Sequence, residues 1–195
     1  MSEIVPRWEW RVFGDDLAAA EAELVKSASG AVQESDELYV LSRDSDSAVK
    51  VRGGLMDVKH LLEVDGAGLE QWVPAMKRSF PLSAADLRAV LAALAVTPPP
   101  LGRAAYELAE MSDEVIRPNE ALHAVRVHKR RAHYTVGGCM AELTAVRIEA
   151  GATRTIAVES EDASLVLAAV RSLGLETRAN INMPRGLKAL VGVWT

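Results

Sequence analysis

The sequence predicts an α+β protein: an antiparallel sheet, closed or nearly closed into a β-barrel, with helices packed outside. Two observations carry this. β-prone runs broken by glycine-containing turns follow one another, most plainly over residues 125–162, VRVHKRRAHYTVGGCMAELTAVRIEAGATRTIAVESED. Such breaks are hairpin signals. Charge also recurs on one face of strand after strand, because successive side chains alternate across a strand.

The first strand, over 5–13, sets Trp8, Trp10 and Val12 on one face and Arg7, Glu9, Arg11 and Phe13 on the other, and Gly14 ends it. Asp15 or Asp16 then caps a helix of Ala, Leu, Glu and Lys to about residue 27. ELYVLS at 37–42 is a short strand, followed by a turn at 43–46. AVKVR at 48–52 places Lys50 and Arg52 opposite Val49 and Val51; Gly53-Gly54 turns into MDVKHLLEV, where Lys59 shares a face with Asp57 and Leu61. DGAG at 65–68 breaks the pattern, and WVPAMKRSF at 72–80 reads as a strand after Pro74. Ser83 opens a helix to about residue 95, with Asp86 in capping-box position. TPPP at 97–100 ends it, since proline cannot continue a helix. A helix is expected over 101–111. In the three-strand stretch, the first strand ends at Gly137-Gly138, the second runs from about 140 to 148, and the third closes on Glu159-Ser160-Glu161. A helix over 163–173 carries Leu165, Ala169 and Leu173 on one stripe, with Gly174 as its C-cap. A last short helix starts at Pro184.

With 195 residues, 49% hydrophobic and 25% charged, the chain is expected to form one globular domain over 1–195. The single cysteine, Cys139, rules out an internal disulfide framework and a multi-cysteine zinc site; a buried small hydrophobe is its expected role. No apolar run reaches the roughly 18 residues of a membrane span, and MSEIVPRWEW has no leader-like apolar core. The cytoplasm is therefore the expected compartment. A net charge of −5 does not recommend nucleic acid as a partner. The sequence lacks GxxxxGK[ST], GxGxxG after a strand, HExxH and GxSxG. His128 and His133 fall on opposite faces of one strand, so they cannot jointly hold a metal.

The charged strand face remains. Arg7, Glu9 and Arg11 lie on one strand, Lys50 and Arg52 on a second, Lys59 on a third, Lys129 and Arg131 on a fourth, Glu142 on a fifth, and Glu159 and Glu161 on a sixth. An open sheet with one wet face fits this pattern. If the sheet closes, the charges face one another, and like charges about 4 Å apart cost roughly 4 kcal/mol at an effective dielectric near 20. A basic interior then needs interleaved carboxylates or a bound polyanion. The carboxylates could also hold a hard divalent cation.

In their order these motifs resemble the CYTH superfamily, the triphosphate tunnel metalloenzymes. It includes class IV adenylate cyclases and thiamine, inorganic and fungal-type RNA triphosphatases. The resemblance implies an eight-stranded antiparallel β-barrel forming a tunnel, with helices outside. RWEWR stands where the family has ExExK, through Arg7, Glu9 and Arg11. VKVR resembles the LRxR strand, DVKHL the strand with a lone lysine, and HKRRAHY the K-x-R strand. AELTAV and AVESE are similar to the two acidic strands. The resemblance thus implies phosphate binding by Arg7, Arg11, Lys50, Arg52, Lys59, Lys129 and Arg131. It implies Mg²⁺ or Mn²⁺ on Glu9, Glu142, Glu159 and Glu161, with Glu9 and Glu159 catalytic.

Two departures bear on this. Arg7 puts a cation where the family has a metal-binding acid, and Arg11 replaces the signature lysine, keeping charge but not its point-charge character. Position 157, often acidic in the family, is alanine. Three functions follow. The first is a metal-dependent phosphohydrolase acting on triphosphate or polyphosphate. The second is a non-catalytic module binding polyphosphate or a nucleotide, which Arg7 favours. A cyclase comes third, because nothing in the sequence reads a base. Solvent-exposed Lys50, Arg52 and Lys129 would instead mark a structural barrel. Ligand identity and oligomeric state are not set by the sequence.

Overall fold

The computed structural model describes residues 5–194. The leader-free reading of the start rests partly on residues 1–4, which lie outside them. Among the described residues, ten strands and five α-helices follow in chain order. They are β1 (Arg7–Phe13), α1 (Ala18–Leu24), β2 (Ala28–Ser42), β3 (Ala48–Arg52), β4 (Leu55–Val64) and β5 (Glu70–Ser79). Next come β6 (Leu82–Ser83), α2 (Ala84–Ala93), β7 (Ala105–Tyr106) and α3 (Leu108–Met111). The chain ends with β8 (Leu122–Val136), β9 (Cys139–Ile148), β10 (Gly151–Ser160), α4 (Ala163–Ser172) and α5 (Met183–Val191).

Eight strands pair antiparallel in a ring of order β1-β10-β9-β8-β2-β3-β4-β5, closed by β5 on β1, while β6 and β7 form a separate small ladder. The ring is uneven. β2 and β8 pair along nearly their whole length, whereas closure rests on Arg7 opposite Trp72, Trp8 opposite Gln71 and Glu9 opposite Glu70. The expected eight-stranded antiparallel ring is thus what forms, with α1, α2 and α4 packed outside it and α5 set across one end rather than outside.

Alternation of side chains decides what each face meets. Outward Val40, Val49, Val51, Met56 and Val58 are covered by Leu87, Val90 and Leu91 of α2 and by Met111 and Ile116 beyond it. Outward Trp10, Val12, Ala141, Ile156 and Val158 are covered by Leu17, Leu24, Val166 and Val170 from the α1 and α4 regions. Trp10 is buried here as expected, Trp8 packs partly buried beside it, and Cys139 is fully buried. Each such apolar side chain contributes roughly 1.5–3 kcal/mol on burial. The third cluster is internal. Tyr39, Leu41, Val125, Val127, Val146 and Ile148 meet Met183 and Leu187 of α5, with Phe13 alongside. One end of the barrel is therefore apolar and closed by α5. Among the described residues, no helix is long and apolar enough to cross a membrane.

Several sequence-level boundaries are corrected. β2 begins at Ala28, not residue 37, because its polar first half pairs with β8 through a bulge between Ser29 and Val32. Tertiary pairing here overrides weak strand propensity. α1 is opened by Leu17 without a side-chain cap; Asp16 instead accepts two 2.8 Å hydrogen bonds from Arg178. β5 begins at Glu70 and runs through Pro74, which sits opposite Lys59 beside a bulge, where a missing N–H is tolerated. The helix expected over 101–111 is only Leu108–Met111, continued by a π-turn over Ser112–Ile116. Of its first half, residues 101–104 are irregular and Ala105–Tyr106 form β7, where Tyr106 pairs with Leu82 and is buried. On α4 the buried side is Val166, Ala169 and Val170, with Leu173 just past its end; Leu165 is exposed, so the stripe is rotated from the expected one. Ser83 does cap α2, accepting from Asp86 N at 3.0 Å.

Candidate functional site

The lumen holds a cavity of about 340 Å³, to which Asn182, Met183 and Pro184 at the start of α5 also contribute. Glu9, Arg11, Lys50, Arg52, Lys59, Lys129, Arg131, Glu142 and Glu159 all line it. Arg7 lines an adjoining cleft of about 220 Å³ with Glu9, Lys59 and Glu159. Glu161 lies past the end of β10, exposed, 3.6 Å from the Arg7 guanidinium. The placement follows from period-two alternation: Glu9 and Arg11, Lys50 and Arg52, and Lys129 and Arg131 are each two residues apart on one strand.

One wall is basic. Lys50 and Arg52 of β3 and Lys129 and Arg131 of β8 converge from both sides on Glu37 of β2. Its carboxylate lies 3.7 Å from Lys50, 3.6 Å from Arg52 and 3.4 Å from Lys129, and accepts a hydrogen bond from Arg131. The Glu37 side chain has no exposed surface. Burial alone would raise its pKa, but Lys129, Lys50 and Arg131 hold it down to about 2. Lys129 donates to the Tyr39 hydroxyl at 2.7 Å, with its ammonium 4.6 Å from the ring centroid. Burial brings the Lys129 ammonium down to about 7: Glu37 opposes this, while Lys50, Arg11 and Arg131 reinforce it. Carboxylate and amine both shift down, the carboxylate because the surrounding cations outweigh its burial and the amine because burial, with those cations behind it, outweighs Glu37. Burial likewise lowers Lys50, and burial with Glu37 raises the Tyr39 phenol.

The opposite wall is acidic but already paired. Glu9 accepts from Arg11 Nε at 2.9 Å. Glu142 lies 3.7 Å from Arg11 and 3.5 Å from Arg131, and accepts from Thr144 at 2.6 Å. Burial pushes Glu142 up, yet Arg11, the Thr144 hydroxyl, Lys129 and Arg131 leave it below its ordinary value. Arg11 is buried, but Glu9 and Glu142 hold its pKa above the ordinary value. Glu159 lies 3.4 Å from Arg7. Among the described residues, no three or more His, Cys, Asp or Glu side chains are grouped so as to hold a metal ion. Glu9 and Glu142 each stand within ion-pair distance of the Arg11 guanidinium, and Glu159 within that of Arg7.

Sequence reasoning missed Glu37, Tyr39, Glu70 and His133 as members of the lumen region. Glu37 and Tyr39 share a face in ELYVLS, but that pattern does not show what packs opposite them. Glu70 is buried, which raises its pKa despite hydrogen bonds from Asn182 at 3.0 Å and Trp72 at 3.3 Å. His133 lines the cavity while His128 faces outward to Asp36 at 2.9 Å, as alternation required.

No protein-family model and no curated protein matches the chain. Solved structures similar to it include HpAC1 of Hippeastrum, a candidate adenylyl cyclase with a dominant triphosphatase activity. It is 13% identical with a TM-score of 0.47, over 87% of this chain and 88% of its own. A candidate adenylate cyclase from Bacillus halodurans is 12% identical with a TM-score of 0.47, over 90% and 91%. The Pyrococcus horikoshii protein PH1012 is 16% identical with a TM-score of 0.46, over 89% and 91%. At these values the likeness carries no weight for chemistry, and the fold rests on the strand order above.

Proposed function

We propose that this chain is a divergent triphosphate tunnel of the CYTH type whose lumen binds the phosphate chain of a triphosphate, polyphosphate or nucleotide directly, through cations. One observation carries the reading. Lys50, Arg52, Lys129 and Arg131 all lie within ion-pair distance of the buried Glu37 carboxylate, only Arg131 of them also reaching Glu142, and Lys59 makes no ion pair among the described residues. Cations that outnumber their local anion in an enclosed cavity favour a polyanion. Guanidinium groups from different strands suit several phosphate oxygens at once. The Arg7–Glu159 and Arg11–Glu9 pairs support direct capture over metal-mediated capture.

Hydrolysis dependent on Mg²⁺ or Mn²⁺ is the second reading. The register favours it in one respect: Glu9 stands directly opposite Glu159, and Glu142 lies on the next strand. A thermal-shift panel of orthophosphate, pyrophosphate, tripolyphosphate and ATP, each with EDTA or with Mn²⁺, tests both. Direct capture gives melting temperatures that rise with phosphate number in EDTA. Stabilisation confined to Mn²⁺ supports the second reading, and no stabilisation by any anion leaves a structural barrel.

A further inference from the structure

We infer that the lumen also traps small phosphorylated aldehydes, Lys129 forming a Schiff base with the carbonyl carbon while the neighbouring cations hold the phosphate. The inference rests on the phosphate-binding reading above and adds a covalent ligand class to it. Lys129 lies mid-strand on β8 and lines the cavity, yet only 3% of it is exposed. Facing it are Arg11 from β1, Glu37 and Tyr39 from β2, Lys50 from β3 and Arg131 from its own strand. A desolvated lysine beside other cations is the arrangement that favours a neutral, nucleophilic amine. Here burial, with Lys50, Arg11 and Arg131, brings the ammonium down to about 7 against the opposing Glu37 carboxylate 3.4 Å away, so free amine is available near neutrality.

The chemistry closes without an added co-reactant. The Nζ lone pair attacks the carbonyl carbon, and the new C–N bond pushes the C=O electrons onto oxygen. That oxygen takes up the proton the nitrogen gives up, for which the Tyr39 hydroxyl, 2.7 Å from Nζ, is the adjacent carrier. The carbinolamine then loses its hydroxyl together with the remaining N–H proton as water to leave C=N, so amine plus aldehyde gives imine plus water with no change of oxidation state. Arg131, Lys50 and Arg52 line the same cavity and surround the same Glu37 carboxylate as Lys129, so they are the groups that would hold a phosphate on the same small molecule. The cavity of about 340 Å³ gives room for one such molecule.

The test uses pyridoxal 5′-phosphate on the intact protein near neutral pH, followed by borohydride reduction and peptide mapping. Lys129 is expected to carry most of the label. Pyridoxal without the phosphate should label it about tenfold more slowly, the loss expected for one phosphate contact of ordinary strength. Excess tripolyphosphate should protect Lys129, and Lys129→Gln should remove only that labelled peptide. Mapping on the unmodified protein decides the question even if that variant fails to fold. Labelling spread over exposed lysines such as Lys26 at least as fast as over Lys129 overturns the inference. If calorimetry shows tripolyphosphate bound but Lys129 stays unlabelled, the inference fails and the phosphate reading stands. If tripolyphosphate does not bind and the phosphate gives no labelling advantage, both fail.

Discussion

Glu37 holds together Lys50, Arg52, Lys129 and Arg131 with no exposed surface of its own, and this arrangement has a pH signature. Its folded pKa of about 2 lies below the ordinary 4.5, so its ionised form contributes stability that is fully present above about 4.5 and lost as pH falls toward 2. A gap of that size is on the order of 3 kcal/mol. Glu37→Gln should cost about 3 kcal/mol at pH 7, since it leaves buried cations without their anion. It should also flatten the acid limb, and urea melts at pH 7 and pH 3 check both. A variant as stable as the parent at pH 7 would contradict the central role of Glu37. Arg7 supports a second prediction: Arg7→Glu should raise divalent-metal binding and triphosphatase rate while lowering metal-free phosphate binding. A hard anionic oxygen would then replace a group that now occupies Glu159. Phosphate release with Mg²⁺ and Mn²⁺ measures it, and a robust parental rate that falls in the variant would contradict it. At this scale most of the lumen was legible, because alternation is backbone geometry: it placed Glu9, Arg11, Lys50, Arg52, Lys129 and Arg131 inward without knowledge of the fold. Glu37 escaped because the sequence reading starts β2 at that residue, and Glu70 because it follows a DGAG break. Neither local pattern reveals what packs opposite.

Among the elements, α5 is the one whose seating depends on a missing side chain. Gly186 faces Phe13, and a Cβ there would come within 2.3 Å of the ring. Alanine raises helix propensity by about 1 kcal/mol over glycine, but forcing atoms into a packed contact typically costs about 1–3 kcal/mol. The second effect should win. Gly186→Ala is expected to lower the melting temperature, because α5 must lift from the barrel end where Met183 and Leu187 pack; a higher melting temperature would show that Phe13 turns aside freely. Elements were legible where capping and periodicity agreed, as in α2 with Ser83. They were not where pairing partners decide: the polar half of β2 becomes a strand through β8, and Ala105-Tyr106 goes to a ladder with β6.

For the whole molecule, the net charge of −5 conceals a lumen in which basic and acidic walls face each other. Global charge therefore repels polyanions weakly while the enclosed basic wall attracts them. Raising salt should weaken binding, though less than for a surface site, because enclosed charges are less screened. The ring itself could be inferred from six strands sharing one charged face; its uneven closure at β1 and β5 could not, because it depends on a register that no local pattern encodes. The most direct test of direct anion capture is isothermal calorimetry in EDTA. Tripolyphosphate and orthophosphate would be titrated into the parent protein, Arg52→Ala and the helix-surface control Arg88→Ala. Tripolyphosphate is predicted to bind at least about tenfold tighter than orthophosphate, to lose about tenfold in Arg52→Ala, and to be unchanged in Arg88→Ala. Equal affinity for both anions, or binding that emerges only after Mn²⁺ is added, would contradict it.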